Sequence, residues 1–183
     1  MRLALDEVRP AFTCGDPDLD EFFHKDSMVG GNELVTVTYL VKHGDDLVGF
    51  FSVSNDSVRR EDTTPSRYKK ITRDIPRQKR FKTLPAVKTG RLGIAKETQK
   101  NKVGTTLMNF IKAWFVANNK TGCRFILVDA YANTENSATG FYEKNGFRFL
   151  THNDEGEDTR LMYFDLITLV RESLIRQFPD HQS

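Results

Sequence analysis

The amino-acid sequence predicts a mixed α/β domain in which helices flank a central sheet. Segments with strand-like and helix-like patterns alternate along the 183 residues. The segment "CRFILVDAYA" is almost continuously apolar, which is typical of a strand buried on both faces. Before it lies a segment with apolar residues at i, i+3, i+4, i+7 and i+8, the pattern of an amphipathic helix, and before that another strand. The centre of the chain therefore predicts a strand–helix–strand crossover.

The first half of the chain predicts a strand, a helix, a hairpin and a short helix. "RLALDEV" is the predicted first strand. "CGDPDLDEFFHKDSM" opens with Gly-Asp-Pro, which suits a capped helix. Two β-branched runs in "ELVTVTYLVKHGDDLVGFFSVS" flank a turn at residues 43–46 and predict a hairpin. A short helix is expected near Ser66–Thr72.

The second half predicts two helices between strands and a helix at the end. "AVKTGRLGIA" is a strand, and a helix follows from about Gly104 to Asn118, with Trp114 and Phe115 expected in the core. "NSATGFYEKNG" predicts a short helix that Asn145-Gly146 terminates. "FRFLTH" and "RLMYFDL" are the last predicted strands, and "ITLVRESLIRQF" is a final amphipathic helix.

Composition favours a single domain spanning residues 1–183 of a cytoplasmic protein. Apolar residues make up 38% and charged residues 28%, and no apolar run approaches the ~20 residues of a membrane span. The first residues lack the apolar stretch of a secretory signal. Cys14 and Cys123 match no metal-ligand spacing, so we expect reduced thiols, no metal and no membrane. Cys14 has no paired base in the sequence, which favours a packed residue over a nucleophile.

Charge is unevenly distributed, although the net charge is only +2. Residues 59–82 contain ten Lys and Arg against three Asp and Glu, which makes this basic segment +7 and the rest of the chain −5. Clustered cations attract phosphates without regard to sequence. Within the segment we predict RNA contact through Arg77, Lys79 and Arg80, with Tyr68 and Phe81 as stacking faces. A solvated basic loop, or cations that face a phosphorylated cofactor, are the alternatives.

A polar loop at residues 96–103 joins the strand that ends near Ile94 to the helix that begins near Gly104. Main-chain N–H groups at a helix start have no internal acceptor and carry the positive end of the helix dipole. A glycine there lets a phosphate approach the main chain closely. Taken alone, the loop favours the simpler interpretation that Gly104 only eases a turn.

The stretches "GRLGI", "QKNKVGTTLM", "LVDA" and "NSATGFYEKNGF" together resemble the GCN5-related N-acetyltransferases (GNAT family). The family's acetyl-CoA loop follows Gln/Arg-x-x-Gly-x-Gly/Ala, on which Gln99, Val103 and Gly104 fall. Its later motif is close to Ala-x-x-Phe-Tyr-Glu-Lys-x-Gly-Phe, and the matching residues are Ala138, Phe141, Tyr142, Glu143, Lys144, Gly146 and Phe147. The resemblance covers about residues 85–165. It implies a mixed, mostly antiparallel sheet flanked by helices, with a splayed strand pair that binds acetyl-CoA.

The resemblance also implies site residues. The expected acetyl-CoA contacts are Leu92, Gly93, Ile94, Gln99, Asn101, Lys102, Val103, Gly104, Thr105, Asn136 and Tyr142. The Ile94 amide would hold the oxyanion and Tyr142 would protonate the leaving thiolate, although Tyr142 could instead be a core or rim tyrosine. Asn136 could equally be a helix cap. Lys102 replaces the family's first loop glycine; it could crowd the pyrophosphate or pair with a phosphate, and a negative φ would preserve the main-chain cradle.

The opening "FTCGDPDLDEFF" resembles one branch of the family, which includes bacterial toxins that acetylate aminoacyl-tRNA. Members of that branch usually read Arg-Leu-Ala-Val where this chain has Arg91-Leu92-Gly93-Ile94. Because the branch also contains acetyltransferases without a toxin role, the motif specifies lineage better than substrate. The resemblance is compatible with a homodimer and with an antitoxin partner, neither of which the sequence specifies.

We therefore expect an acetyl-CoA-dependent N-acetyltransferase that acts by direct transfer to a primary amine. No carboxylate or histidine precedes Ile94 on its strand to act as a base. The α-amine of an aminoacyl ester, with a pKa at or below ~8.0, needs less help than a lysine at ~10.4. Asp129 or Glu135 could still act through water. Aminoacyl-tRNA is thus the favoured acceptor, ahead of a small molecule or protein. The alternative from another class is a non-catalytic nucleic-acid-binding module.

Overall fold

The structure is a computed structural model that describes residues 1–4, 9–76, 82–119, 121–133 and 137–177. Its helices are α1 (Pro17–Glu21), α2 (Ser27–Asn32), α3 (Pro65–Ile71), α4 (Val103–Val116), α5 (Thr139–Lys144) and α6 (Ile167–Gln177). Its strands are β1 (Val37–His43), β2 (Asp46–Arg59), β3 (Thr83–Ile94), β4 (Phe125–Tyr131), β5 (Arg148–Phe149) and β6 (Thr159–Asp165). They form a six-stranded sheet in the order β1-β2-β3-β4-β6-β5. The pairs β1–β2, β4–β6 and β5–β6 are antiparallel, and the predicted fold class is confirmed.

Contacts along the chain define two compact units, which are described separately. Unit 1 comprises Met1–Asn55 and Lys88–Met108, and unit 2 comprises Asp56–Val87 and Asn109–Ser183. The prediction that residues 1–183 form one acetyltransferase domain stays a prediction. Among the described residues, no helix is long and apolar enough to cross a bilayer.

In unit 1 the first helix packs an aromatic core against the hairpin. The Asp16 side chain accepts hydrogen bonds from the amides of Asp18 and Leu19, which is the predicted cap. A π-helical turn at Phe22–Asp26 joins α1 to α2. It carries Phe23, which is fully buried with its ring centroid 4.9 Å from that of Phe50. This core fixes the hairpin against the helix.

The beginning of the chain pairs with β1. The Leu3 N–H donates to the Thr38 carbonyl at 2.9 Å, and the Leu40 N–H donates to the Met1 carbonyl at 2.7 Å. An isolated bridge joins Arg2 to Tyr39. Of the predicted first strand, Arg2 forms a bridge, Leu3 and Ala4 are not part of a strand, and residues 5–8 lie outside the described residues.

Two glycines allow β2 and β3 to approach closely. A Cβ on Gly49 would lie 2.7 Å from the Gly93 carbonyl oxygen, and a Cβ on Gly93 would lie 2.5 Å from the Phe50 ring. Because Phe50 is fully buried, its ring has little room to move away. The branch usually has alanine in place of Gly93, and in this chain the Phe50 ring occupies the space that an alanine methyl group there would need.

Unit 2 is built on the pairing of β4 with β6. Seven residue pairs extend from Phe125–Asp165 to Tyr131–Thr159. The run Phe125–Val128 is buried, as predicted for a strand covered on both faces. Around it lies a core cluster of Val58, Ile71, Leu84, Ala86, Phe125, Leu127, Leu150 and Tyr163.

The prediction that Trp114 is a core residue is wrong. Trp114 is 38% exposed and Phe110 is 55% exposed, and their rings stack on each other with centroids 6.2 Å apart. The buried stripe of α4 instead runs through Met108, Ile111 and Lys112. Phe110 and Trp114 lie one helical turn apart, where side chains of a helix are neighbours, and the Trp114 ring centroid also lies 5.1 Å from that of Phe115. Phe115 is half-buried.

Substituting Gly93 by alanine should destabilise the protein, because the added methyl group would overlap the immobile Phe50 ring. We expect a loss of about 1–3 kcal/mol in the free energy of unfolding, measured by denaturation followed by far-UV circular dichroism. Gly90→Ala is the matched control on the same strand, since a Cβ there meets no atom within 4 Å. Equal stability of the two variants would contradict this account of Gly93.

Candidate active site

Most of the predicted acetyl-CoA contacts are brought together at the end of β3 and the start of α4, in unit 1. Leu92, Gly93 and Ile94 end the strand, and a 3-10 turn at Lys96–Thr98 follows. The turn leads to the loop residues, and α4 begins at Val103. Six further predicted contacts lie in that loop and in the first helical turn: Gln99, Asn101, Lys102, Val103, Gly104 and Thr105.

The Ile94 amide is directed to the edge of β3 that faces away from β2. The next amide, that of Ala95, donates to the Val48 carbonyl on β2 at 3.0 Å. Successive N–H groups of a strand point to opposite edges, so the Ile94 N–H points the other way. The Gln99 side chain reaches the same edge, where its Nε2 donates to the Ile94 carbonyl at 3.0 Å. A main-chain donor thus lies beside the loop at the strand end.

The side chain of Gln99 fastens the loop. Its Nε2 also donates to the Cys14 carbonyl at 2.6 Å, so both of its N–H groups are used by main-chain oxygens. The Lys96 N–H donates to the Thr13 carbonyl at 3.0 Å and so ties the loop to the same segment. The predicted cofactor contact of Gln99 can therefore come only from its main chain or from its side-chain oxygen.

The loop contains two lysines in the left-handed conformation. Lys100 has a φ of 67° and Lys102 a φ of 61°, whereas Asn101 between them is not in this region. The negative φ that would preserve the cradle at Lys102 is therefore not found. Alternation of left- and right-handed residues makes successive amides converge into an anion-binding concavity. The loop thus adopts the glycine-like conformation with lysine, at a cost of roughly 1–2 kcal/mol per residue.

The start of α4 adds further donors to this concavity. The Thr106 N–H donates to the Lys102 carbonyl at 2.9 Å, which is the first bond of the helix. The amides of Val103, Gly104 and Thr105 precede that bond and have no acceptor four residues back. With the helix dipole they favour an anion at this end of the 14-residue helix. We call the amides of residues 100–105 the amide cradle.

Tyr142 lies in α5 of unit 2. Its ring contacts those of Phe141 and Phe147, with centroids 5.2 and 5.3 Å away. Desolvation, and to a smaller degree the negative charge of Asp129, raise the pKa of Tyr142 to about 12. The phenol is therefore protonated throughout the neutral range and can act as a proton donor.

Buried polar residues hold the C-terminal end of α5. The Asn145 side chain donates to the Phe141 carbonyl at 2.8 Å, and the Lys112 ammonium donates to the Asn145 carbonyl. Gly146 has a φ of 80°, which is the predicted helix stop. Lys112 was not predicted as a functional residue. The signal in the sequence is a cation four residues after Met108 on the buried stripe of α4.

Cys14 is packed at the start of the first helix, as predicted. Desolvation, together with the hydrogen bond to Asp20 and its negative charge, raises the pKa of the thiol to about 11. The thiol is therefore not ionised at neutral pH and is a poor nucleophile. This observation favours direct transfer over an acyl-cysteine intermediate. Among the described residues, no group of His, Cys, Asp or Glu could hold a metal ion.

Several predicted residues lie outside the described residues. They are Asn136, Glu135, Arg77, Lys79, Arg80 and Phe81. Within the described part of the basic segment, the Arg60 guanidinium lies 5.7 Å from the centroid of the Tyr68 ring. Arg67 donates to the Leu150 carbonyl. These two cations are thus engaged within the fold, and the predicted RNA contact of Arg77, Lys79 and Arg80 stays a prediction.

Comparison with known proteins gives one family and a set of structural neighbours. The model of the acetyltransferase (GNAT) domain matches residues 36–149. A tyrosine-to-phenylalanine variant of KacT is 22% identical with a TM-score of 0.73, over 94% of this chain and 96% of that chain. AtaT complexed with acetyl-methionyl-tRNAfMet is 22% identical with a TM-score of 0.69, over 94% and 97%.

A third neighbour is a variant of the toxin AtaT bound to the C-terminus of the antitoxin AtaR and to acetyl-CoA. It is 18% identical with a TM-score of 0.63, over 94% of this chain and 96% of that chain. No curated protein matches the chain. At these identities the neighbours establish the fold alone, and they establish it over almost the whole chain.

Replacing Lys102 by glycine should stabilise the protein by about 1 kcal/mol, because glycine adopts a positive φ without a steric cost. Thermal unfolding followed by circular dichroism measures the change. Lys42→Gly is the matched control, since Lys42 lies in β1, where glycine should destabilise. A Lys102→Gly variant that is destabilised as much as Lys42→Gly would show that the lysine is not strained.

Proposed function

The chain belongs to the GNAT acetyltransferase family, and from this premise we propose that it transfers the acetyl group of acetyl-CoA directly to a primary amine. The observation that carries the proposal is the amide cradle beside the end of β3. Two left-handed residues in a turn, followed by a helix start, form a backbone geometry that can bring several main-chain donors to one anion. A pyrophosphate is the ligand that suits such a set of donors. Acetyl-CoA supplies that pyrophosphate and the thioester that the amine attacks.

Within this proposal, the amides of residues 101–105 bind the pyrophosphate, and the Ile94 N–H donates a hydrogen bond to the carbonyl oxygen of the thioester. The N–H of Ala95 bonds to β2, and the Ile94 N–H, one residue earlier on the strand, points away from β2. Attack by the amine places negative charge on the carbonyl oxygen. A main-chain donor fixed at that oxygen stabilises the transition state by about 3–4 kcal/mol in comparable sites.

Tyr142 is the proposed proton donor to the leaving sulfur. As the C–N bond forms and the C–S bond breaks, the phenol proton moves to sulfur, and the ammonium formed on nitrogen returns a proton to the tyrosinate. A thiol has a pKa near ~8.5, so transfer from a phenol of pKa about 12 to a free thiolate is uphill by about 5 kcal/mol. The transfer is therefore expected to accompany C–S cleavage, and the tyrosinate is a strong base for the return step.

Aminoacyl-tRNA is the proposed acceptor. The neighbour AtaT complexed with acetyl-methionyl-tRNAfMet supports it, as does the opening motif of the toxin-containing branch. The residues of β3 before Ile94 include no Asp, Glu or His. This suits an α-amine, because a pKa at or below ~8.0 leaves a much larger unprotonated fraction near neutral pH than the ~10.4 of a lysine does. An antitoxin partner is part of the same proposal, because a neighbour is bound to the C-terminus of AtaR.

The proposal is tested by following radiolabelled acetyl groups from acetyl-CoA to a panel of acceptors. The panel contains charged tRNAs, the same tRNAs without amino acid, peptides and polyamines. Labelling of charged tRNA alone supports the proposed acceptor. Labelling of peptides or polyamines alone assigns the enzyme to a protein or small-molecule substrate. Failure to bind acetyl-CoA in a thermal-shift measurement would contradict the transferase function itself.

Tyr142→Phe should lower kcat by ~10²–10⁴-fold while acetyl-CoA binds as before, because only the proton donor is lost. Steady-state kinetics and calorimetric titration with acetyl-CoA measure the two effects. Tyr39→Phe, on β1, is the matched control and should retain full activity. An unchanged rate in Tyr142→Phe, with chemistry shown to limit turnover, would reduce Tyr142 to a packing residue.

Ionisation of Tyr142 should not lower kcat/KM at any pH below about 11. The active form is the neutral phenol, and its raised pKa keeps it protonated until the pH approaches about 12. The profile should rise as the acceptor amine deprotonates, near ~8 for an α-amine, and then stay level. Rates are measured from pH 6 to 10 with the best acceptor of the panel. A descending limb within that range would contradict the assignment of Tyr142 as an acid of this pKa.

A further inference from the structure

An open pocket of about 610 Å³ lies within unit 2, apart from the amide cradle of unit 1. It is formed by residues of α3, α4, β6, α6 and the segments before β4 and at β5. Its charged lining residues are Lys70, Arg73, Lys112, Arg124, Arg148, Arg171, Asp165 and Glu172. Six of these eight residues are cations, so the pocket has an excess of positive charge that the predicted transfer reaction does not use.

Three of the six cations are paired with carboxylates. Arg124 donates two hydrogen bonds to Asp165, at 3.1 and 3.0 Å. Arg73 and Arg171 both form ion pairs with Asp74. Asp165 therefore supplies the counter-charge of Arg124, and Asp74 supplies that of Arg73 and Arg171.

The other three cations have no carboxylate partner among the described residues. Lys70 and Arg148 are exposed at the pocket. Lys112 is only 5% exposed, and its ammonium donates to the Asn145 carbonyl. It also lies 4.4 Å from the centroid of the Phe164 ring. These partners carry no negative charge, and burial of an ammonium without a counter-charge is costly. An anion in the pocket would supply that charge.

The remaining lining residues favour a phosphate ester over a simple ion. The three unpaired cations come from three different elements, α3, α4 and β5, which suits a phosphate with several acceptor oxygens better than a planar carboxylate. The pocket is larger than a phosphate group alone needs, and Ile71, Tyr163, Phe164, Ile167 and Leu169 add apolar and aromatic surface. A base or a ribose can pack on such surface.

We propose that this pocket binds a nucleotide through its phosphate group, with Lys70, Lys112 and Arg148 as the phosphate-binding residues. The nucleotide is either a free mononucleotide or one unit of an RNA chain. The inference does not rest on acetyl transfer, since every residue that carries it belongs to unit 2 and lies outside the amide cradle.

The test measures binding of two probes to the full chain at saturating coenzyme A, which occupies the acetyl-CoA site. The probes are adenosine 5′-monophosphate and a fluorescein-labelled single-stranded RNA of twelve nucleotides. Lys70→Ala and Arg148→Ala are the test variants, and Lys69→Ala is the matched control, a neighbouring exposed lysine on α3 that does not line the pocket. Lys112 is left unchanged because its bond to Asn145 also holds α5.

We expect each test variant to weaken binding by about tenfold or more, and Lys69→Ala to leave it unchanged. Saturable binding of the mononucleotide with this pattern identifies a free nucleotide as the ligand. If only the RNA binds with this pattern, the pocket holds a unit of an RNA chain. If both probes fail to bind, or if Lys69→Ala weakens binding as much as the pocket variants, the proposal is wrong.

Discussion

The close approach of β2 and β3 at Gly49 and Gly93 is the constraint on which unit 1 depends. Without side chains at these two positions, the carbonyl of one strand and the ring of Phe50 occupy the space that a methyl group would need. Phe50 in turn contacts Phe23 of the π-helical turn that follows α1. The same approach sets the end of β3, where Ala95 bonds to Val48 and the Ile94 amide turns the other way. Packing in the core and the direction of the Ile94 amide, the proposed oxyanion donor, therefore have a common cause.

The amide cradle is fixed from the side of the loop that faces the protein. Gln99 uses its side-chain amide to hold Cys14 and Ile94 carbonyls, and Lys96 bonds to Thr13. These bonds over-determine the loop, which allows Lys100 and Lys102 to remain in a conformation that lysine disfavours. These hydrogen bonds, and not the preference of the two lysines, hold the loop in this conformation before any ligand arrives.

Local signals explain why much of the fold could be predicted from the sequence. Asp16 and Pro17 at a helix start, the turn at residues 43–46, and Gly146 after a short helix act through their immediate neighbours, and each prediction was confirmed. The exposure of Trp114 was missed because α4 has more apolar side chains around its circumference than the neighbouring elements cover, and Trp114 lies among those left uncovered. The φ of Lys102 was missed because the residue type argues against the conformation that the loop imposes. A role for Lys112 was not predicted, because its burial without a carboxylate partner results from contacts with Asn145 and Phe164, which are distant in the sequence.

The exposure of Trp114 has a practical consequence for physical studies of this protein. It is the single tryptophan of the chain, and it lies in the part of α4 that belongs to unit 2. Its emission is therefore a local reporter whose colour and quenching by acrylamide follow the surroundings of one helix face. A change in the loop around Lys102 or in the strand at Gly93 can leave that emission unaltered, so fluorescence and circular dichroism need not give the same unfolding curve. Agreement between the two signals would itself measure how cooperatively the two units unfold.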